Sequence, residues 1–208
     1  MTETNNSAPP IDSGDAAWVT IKSELTTDQV MRVASDIEVI FRLNPYYYIE
    51  SWEAQGDSFK VNYKNNSNNQ TVEQSFTVTR KPNELEINYE NDIKNKTVLK
   101  IEPDGSGSVL TLIDDYSHLT GAEREQRSDE ADKSQQKWGE AIYTYLARIK
   151  KWSWLPGWQT YMRRVWMPMN PSGRRVVFML SVIAIAQFAF FILILGVWVL
   201  ESARGPAL

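Results

Sequence analysis

Residues 36–53, DIEVIFRLNPYYYIESWE, change from helical to extended spacing at Pro45. Upstream of the proline, apolar side chains follow helical spacing at Val30, Val33, Ile37 and Ile40. Thr26 or Thr27 can cap this region, which fits one long helix or two short ones. Downstream, aromatic and β-branched residues predict a strand over Tyr46–Glu53. A helical segment therefore leads directly into a strand.

Period-two alternation continues on both sides of this passage. Before it, WVTIKSEL (18–25) places Val19, Ile21 and Leu25 on one face, as in a half-buried strand. After it, five more runs predict strands: FKVNY (59–63), TVEQSFTVTR (71–80), ELEINYE (84–90), TVLKIE (97–102) and SVLTLIDDY (108–116). The last two are joined by a turn at Asp104–Gly107. Such closely spaced strands predict an antiparallel meander, and the first strand makes seven.

A long helix follows the strands. It begins near LTGAEREQ and can continue for about 30 residues, until Pro156 ends it. Its apolar stripe lies in the second half: Trp138, Ile142, Tyr145, Ile149 and Trp152. In the first half, only the small residues Ala131 and Ser134 lie in line with that stripe.

The order β-α-α-β-β-β-β-β-β-α, together with the passage at 36–53, resembles the helix-grip fold of the START/Bet v 1-like (SRPBCC) superfamily. That superfamily includes polyketide cyclases and lipid-transfer domains. The resemblance covers residues 16–152 and implies an α+β domain in which a curved, seven-stranded antiparallel sheet surrounds a long C-terminal helix.

The resemblance also implies an apolar cavity between sheet and helix, used by family members for lipids and other hydrophobic molecules. A helix that presents Ala131 and Ser134 to a sheet rich in Phe, Tyr and Val leaves unfilled volume unless a ligand occupies it. The same aromatic residues, at these spacings, are equally consistent with an ordinary core. The candidate ligand-binding residues are Phe59, Val61, Tyr63, Phe76, Val78, Leu85, Ile87, Tyr89, Leu99, Ala131, Ser134, Trp138, Ile142 and Tyr145.

The C-terminal part has a different character. Residues 176–200, VVFMLSVIAIAQFAFFILILGVWVL, contain no charge. A helix of this length rises roughly 37 Å at 1.5 Å per residue, enough to cross a hydrocarbon core of about 30 Å. We therefore expect a single transmembrane helix at 176–200, followed by a short tail at 201–208. Residues 1–15 are polar and contain prolines, so we expect them to be disordered. They also lack the basic and apolar regions of a secretory signal. Because the apolar segment lies close to the C-terminus, we expect the protein to be tail-anchored.

Charge is distributed unevenly along the chain. Residues 1–148 carry 25 acidic and 15 basic side chains, whereas residues 149–208 carry one acid and seven bases. Four of these bases shortly precede the apolar segment and only Arg204 follows it, which predicts that the N-terminal domain is cytoplasmic.

Residues 153–175 are rich in Trp and Arg and predict an interfacial segment. WQTYMRRVW (158–166) places its apolar side chains on one helical face, opposite Gln159, Arg163 and Arg164. We expect this face at headgroup depth, where each basic residue adds on the order of 1 kcal/mol near an anionic leaflet. The candidate membrane-interface residues are Trp152, Trp154, Trp158, Arg163, Arg164, Trp166, Arg174 and Arg175.

Catalytic and metal-binding signatures are weak. The single histidine, His118, falls where a strand leads into a helix, usually a solvated loop. Asp114 and Asp115 are adjacent, so in a strand they face opposite sides and cannot form a carboxylate dyad, although one can point inward. With one His and no Cys, the sequence predicts no metal, no cofactor and no disulfide. The acidic domain also argues against binding nucleic acid.

Three functions remain open. The leading one is a membrane-tethered, START-like domain that binds or transfers a lipid-like hydrophobic ligand. The second is an enzyme of the cyclase or dehydratase type acting in the same cavity. The third is an accessory subunit of a membrane complex, for which Gln187 in the apolar segment could hydrogen-bond a partner helix.

Overall fold

The structure is a computed structural model that describes the backbone of residues 16–90, 94–117, 121–169 and 171–203. Side chains are described for the same residues except 121–133, 171, 172 and 203. His118, the side chain of Ala131 and the N-terminal residues 1–15 lie outside this description. The chain divides into two compact units, Met1–Pro168 and Met169–Leu208.

Seven strands form one antiparallel sheet with the order β1-β7-β6-β5-β4-β3-β2. The strands are β1 (Ala16–Ser23), β2 (Tyr47–Gln55), β3 (Ser58–Asn65), β4 (Gln70–Lys81), β5 (Glu84–Glu90), β6 (Lys96–Asp104) and β7 (Gly107–Asp115). Strands β2 to β7 pair with their sequence neighbours, and β1 pairs with β7. The predicted meander is confirmed, including the tight turn in which Asp104 pairs with Gly107.

A β-bulge in β2 decides which aromatic side chains enter the core. The register with β3 shifts between Ile49 and Ser51, so that Ile49 pairs with Tyr63 and Trp52 pairs with Val61. The extra residue lets Ile49 and Trp52 face inward together, although their odd separation would place them on opposite faces of a regular strand. Such a bulge also bends the strand, which suits a curved sheet.

Two short helices connect β1 to β2, as one of the two sequence alternatives predicted. They are α1 (Thr27–Ala34) and α2 (Ile37–Leu43). Thr26 caps α1 in a capping box, because its hydroxyl accepts from Gln29 N at 3.4 Å and the Gln29 side chain accepts from Thr26 N at 3.0 Å. The buried residues of α2, which include Ile40 and Phe41, join the core of the domain.

The long helix α3 (Gly121–Trp152) packs along β1. Gln135 is buried and donates to the main-chain oxygens of Ala17 at 2.8 Å and Leu112 at 3.2 Å. The Trp138 indole donates to Ile40 O at 2.9 Å, which links α3 to α2. Four members of the predicted stripe are buried, at Trp138, Ile142, Tyr145 and Ile149, whereas Trp152 is 37% exposed.

The segment after α3 is part of the domain. It contains a short helix α4 (Trp158–Tyr161) that continues into a single π-helical turn, Met162–Trp166. Met162 and Met167 are 7% and 5% exposed and belong to the same core cluster as the sheet. The compact unit therefore extends past Trp152, where the sequence placed the end of the domain, to Pro168.

This packing corrects one expectation about the face formed by residues 158–166. We expected its apolar side chains to lie together in the membrane interface. Instead, Met162 is buried, and Trp158 and Trp166 pack partly buried against the domain core. Tyr161 and Val165 are both 44% exposed. The sequence pattern identified an apolar face but could not show that the domain itself covers part of it.

The second unit contains one long helix, α5 (Pro171–Ala203). Within it, Gly173–Ser202 is long and apolar enough to cross a membrane, and its most apolar window is not buried by protein. This agrees with the presence of an apolar helix at the position predicted from the sequence. The chain thus consists of an α+β domain with a long C-terminal helix, followed by a separate apolar helix.

Candidate ligand-binding site

The middle of the interior is solidly packed. Five of the predicted ligand-binding residues have an exposed fraction of 0%: Val61, Leu85, Ile87, Leu99 and Ile142. Phe76 and Trp138 are 1% exposed, and Val78 is 3% exposed. A side chain with no accessible surface borders no space as large as a water molecule. These residues therefore act as core, and any ligand space must lie towards an end of the interior.

Aromatic rings account for much of this packing. Two rings stack on Phe76. The ring centroid of Phe41, from α2, lies 4.8 Å from that of Phe76, and the ring centroid of Phe59 lies 5.3 Å from it. Trp52 contacts Phe41 at 5.5 Å and Phe59 at 5.6 Å. Such pairs contribute beyond their buried area. Sequence reasoning named Phe59 and Phe76 but not Phe41 or Trp52, because neither the path of α2 nor the bulge in β2 is visible in the residue spacing.

A polar cluster lies at one end of the interior, around Asp114 of β7. The Thr97 hydroxyl donates to Asp114 Oδ1 at 2.5 Å, and Lys94 Nζ donates to Asp114 Oδ2 at 2.5 Å. The hydroxyl of Tyr89 is 3.1 Å from that of Thr97. We call Tyr89, Lys94, Thr97 and Asp114 the interior polar cluster.

The sheet register explains how this cluster forms. Asp114 pairs with Thr97 on β6, just as Leu112 pairs with Leu99. Asp114 therefore shares the inward face of Leu110 and Leu112, and it is completely buried. Asp115 faces the other way and accepts from Ser117 N at 2.9 Å. The sequence prediction that the two carboxylates face opposite sides is confirmed, and Asp114 is the inward one.

Charge is the unusual feature of this cluster. Burial disfavours the charged form of Lys94 and is the largest single effect, but the Asp114 carboxylate together with nearby tyrosine side chains outweighs it and raises the pKa of Lys94 well above its ordinary value. Burial also raises the pKa of Tyr89, so that its hydroxyl stays protonated. Lys94 Nζ lies 5.3 Å from the centroid of the Trp138 ring, within the range of a cation–π contact. The cluster thus holds a protonated lysine paired with a buried carboxylate.

Some side chains at this end of the interior are less completely buried than those in the middle. Tyr89 and Lys94 lie deep among protein atoms, yet 17% of the Lys94 side-chain surface is accessible, and Tyr89 is only partly buried. Ser134 is also partly exposed and lies one helical turn before Trp138, on the same side of α3. The pattern differs from the middle of the sheet, where exposure is zero. These three side chains are therefore accessible, and we expect any ligand to approach the interior from this end.

The remaining predicted ligand-binding residues fall in two places. Tyr63 is 6% exposed and packs on Tyr47 with ring centroids 4.3 Å apart. Tyr145 borders a different cleft, between α1 and the end of α3. Sequence reasoning did not identify Lys94, because a residue in a loop is not part of a helical or strand repeat. Asp114 could have been identified, because it is two residues from Leu112 and four from Leu110 and therefore lies on the same face of β7.

The predicted membrane-interface residues are also spread over different surroundings. Trp154 is 71% exposed, and Arg164 is exposed as well. Arg163 forms an ion pair with Asp36 at 3.0 Å. Arg174 and Arg175 lie in the first turns of α5. Membrane contact by the exposed members of this set stays a prediction.

Metal ligands do not cluster in the described part of the chain, where no group of three or more His, Asp or Glu side chains could hold a metal ion. What the interior polar cluster offers is hydrogen bonding. An ammonium group has three donors, and the Asp114 carboxylate takes one from Lys94. The remaining N–H groups of Lys94 can donate to an oxygen atom of a bound molecule.

No family model matches the sequence, and no curated protein matches it either. Solved structures do show the fold. A protein from Arthrobacter aurescens has a TM-score of 0.52 at 12% identity, covering 69% of this chain and 92% of that one. A START superfamily protein from Mycobacterium smegmatis has a TM-score of 0.50 at 14% identity, covering 65% and 99%. The KanY protein has a TM-score of 0.52 at 15% identity, covering 65% of this chain and 99% of that one. The domain therefore has the START/Bet v 1-like helix-grip fold.

Proposed function

We propose that this protein is a membrane-tethered, START-like domain that binds a hydrophobic molecule bearing a hydroxyl or carbonyl oxygen. The observation that carries the proposal is the Lys94–Asp114 ion pair, which is largely buried at one end of the domain interior. A buried ion pair is weak evidence for stability, because apolar residues of similar volume often do as well or better. Perturbed ionisable groups inside a cavity are more typical of a functional site.

The chemistry of the site supports a neutral, oxygen-bearing ligand. Asp114 balances the charge of Lys94, so the pair does not favour a free anion. The ammonium hydrogens of Lys94 that Asp114 does not accept suit an oxygen acceptor, and the Tyr89 hydroxyl, whose hydrogen is donated to Thr97, can accept from a ligand hydroxyl. The partly buried rings of Tyr47 and Tyr89, which lie near Lys94, offer apolar surface to the rest of the molecule. This arrangement, a mostly apolar site with few polar groups, is typical of small-molecule pockets.

Tethering is the second part of the proposal. Gly173–Ser202 is long and apolar enough to cross a membrane. The basic residues that precede it favour a cytoplasmic location for the domain. A domain held at a bilayer would take its ligand from that bilayer or deliver it there, which suits a hydrophobic molecule that is poorly soluble in water.

A binding titration tests the ligand site. The full chain in phosphatidylcholine nanodiscs is titrated with a dansyl-labelled long-chain alcohol, whose emission rises when it is buried. We expect saturable binding that weakens at least about tenfold in Lys94→Met, as expected for hydrogen bonds to a charged group. Lys96→Met is the matched control, because Lys96 carries the same charge nearby but pairs with Glu86 on the outer face at 3.2 Å. Equal binding by wild type and Lys94→Met would reject the site.

One observation favours an enzyme as the second candidate. Tyr89, Thr97, Asp114 and Lys94 form a continuous chain of hydrogen bonds, and such groups can move protons in a cavity. A cyclase- or dehydratase-type reaction would use them on a bound carbonyl compound. The readout that separates the two is chemical: a binding protein returns its ligand unchanged, whereas an enzyme returns a molecule of different mass.

A further inference from the structure

A second cleft lies outside the interior site, between α1, the C-terminal part of α3 and the segment around α4. Its volume is about 500 Å³. None of the residues that line it belongs to the interior polar cluster. The volume falls within the range of roughly 300–1,000 Å³ that is typical of small-molecule sites. All of its walls belong to the first compact unit.

The cleft combines an apolar floor with a cationic rim. Val39 and Ile149 on the floor are 4% and 8% exposed, and Val33 lies beside them, partly buried. The rim carries Arg32 and Lys150, which are both exposed. A surface of this kind can hold the two ends of an amphiphile in different surroundings.

The two rim cations are not neutralised by acidic side chains in the described part of the chain. Arg32 donates to the main-chain oxygen of Asp28 at 3.4 Å, and Lys150 donates to that of Glu24 at 3.5 Å. Asp36, the one acid among the described residues that line the cleft, already forms an ion pair with Arg163 at 3.0 Å. Two unpaired cations are thus left beside apolar surface, in a domain whose acidic residues outnumber its basic ones.

We propose that this cleft binds an anionic phospholipid, with the phosphate at Arg32 and Lys150 and part of an acyl chain against Val33, Val39 and Ile149. Charge complementarity selects the phosphate, since arginine and lysine are the side chains that bind phosphate oxygens most strongly. The apolar floor selects a lipid over a free phosphate. Gln159 and Arg163 line the cleft and belong to the segment that shortly precedes the apolar helix in sequence. The choice of a bilayer lipid rests on the proposed membrane tether, which is part of the proposed function. The cleft and its charges are observed independently of that tether.

The experiment uses the full chain in a neutral detergent and three soluble probes measured by calorimetry: dihexanoyl phosphatidylglycerol, dihexanoyl phosphatidylcholine and inorganic phosphate. We expect the phosphatidylglycerol to bind most tightly. In Arg32→Gln/Lys150→Gln its affinity falls at least about tenfold, since hydrogen bonds between charged partners are lost. Arg164→Gln is the matched control, because Arg164 is exposed on the same segment but does not line the cleft.

Several results would overturn the proposal. Equal affinity for phosphatidylglycerol and phosphatidylcholine would remove the role of the rim cations, and so would an unchanged affinity in the double variant. Inorganic phosphate binding as tightly as phosphatidylglycerol would reduce the cleft to a simple anion site. Because Arg32 and Lys150 are exposed, their replacement leaves the core intact, and an unchanged melting temperature verifies this. Lys94→Met keeps the cleft, so unchanged binding of the interior ligand in Lys94→Met, together with phosphatidylglycerol binding that depends on Arg32 and Lys150, would count against the proposed function alone.

Discussion

Gly139 of α3 and Val19 of β1 are so close that a Cβ atom at position 139 would lie 2.8 Å from Val19 Cγ2 and 2.9 Å from Cγ1. In an exposed helix, replacing glycine with alanine stabilises by about 1 kcal/mol. Here the added methyl group has no room, so Gly139→Ala is expected to destabilise by about 1–3 kcal/mol through overpacking. Chemical denaturation of the domain measures the free energy of unfolding.

Two further variants give this first prediction its control. Val19→Ala/Gly139→Ala removes the clash, so the double variant should be more stable than the sum of the two single changes allows. Thr144→Ala, at an exposed position of the same helix, should change the free energy of unfolding by less than about 0.5 kcal/mol. A stabilising Gly139→Ala would contradict the close packing of α3 on β1.

The second prediction concerns the buried ion pair. Lys94→Met leaves the Asp114 carboxylate buried without its cation, which is expected to cost about 3–5 kcal/mol of stability. Lys94→Met/Asp114→Leu removes both charges and should recover much of that loss. If the double variant is no more stable than Lys94→Met, the coupling between the two side chains is absent.

Alkaline pH provides a third prediction from the same pair. Because the folded pKa of Lys94 is raised above 10.5, its contribution to stability is fully present below about pH 10.5 and is lost as the pH rises through the folded value. Tyr89 acts in the same direction, since the folded state keeps a phenolic proton that the unfolded state releases. Urea midpoints at pH 9 and pH 11 should therefore fall more for wild type than for Lys94→Met/Asp114→Leu. Equal falls would contradict the raised pKa of Lys94.

The sequence allowed the architecture to be predicted because each element carries its own period. Alternation identified seven strands, and the stripe from Trp138 to Ile149 identified the buried face of α3. The interior site could be predicted less well from the sequence. Lys94 lies in a loop, and the inward turn of Trp52 depends on a bulge that shifts the register between Ile49 and Ser51. These features follow from tertiary pairing, which residue spacing does not record.

The same limit applies to the segment after α3. Met162 and Val165 appeared equivalent in the sequence, on one apolar face. The structure buries Met162 in the domain core and leaves Val165 exposed. Whether a side chain faces lipid or protein cannot be read from its hydrophobicity, because both surroundings accept apolar groups.

A fourth prediction follows from this difference. Met162→Ala should destabilise the domain by about 2–5 kcal/mol, as is typical when a large buried side chain is truncated. Val165→Ala removes a similar kind of side chain from the surface and should cost less than about 0.5 kcal/mol. Thermal melts of the full chain in detergent compare the two. Equal effects would show that residues 158–166 do not dock on the domain as described.

A fifth prediction tests the proposed topology. The chain has no cysteine, so Ser67→Cys in the exposed turn after β3 and Ser202→Cys near the end of α5 each create one labelling site. In intact cells, an impermeant maleimide should reach position 202 and leave position 67 unlabelled until the membrane is permeabilised. The opposite pattern would reverse the orientation, and equal labelling of both would argue against a membrane span.

The proposed function requires that an apolar molecule binds at the end of the interior beside Lys94 and Trp138. Native mass spectrometry of the full chain, released from a neutral detergent, tests this with Ser134→Leu, which adds bulk at this end, and with Ser134→Ala as the matched control. We expect wild type and Ser134→Ala to carry one apolar molecule per chain, and Ser134→Leu to carry none while melting at a similar temperature. A wild-type chain that is empty and takes up no added apolar molecule, with Ser134→Leu melting well below it, would contradict the claim and show a fully packed interior.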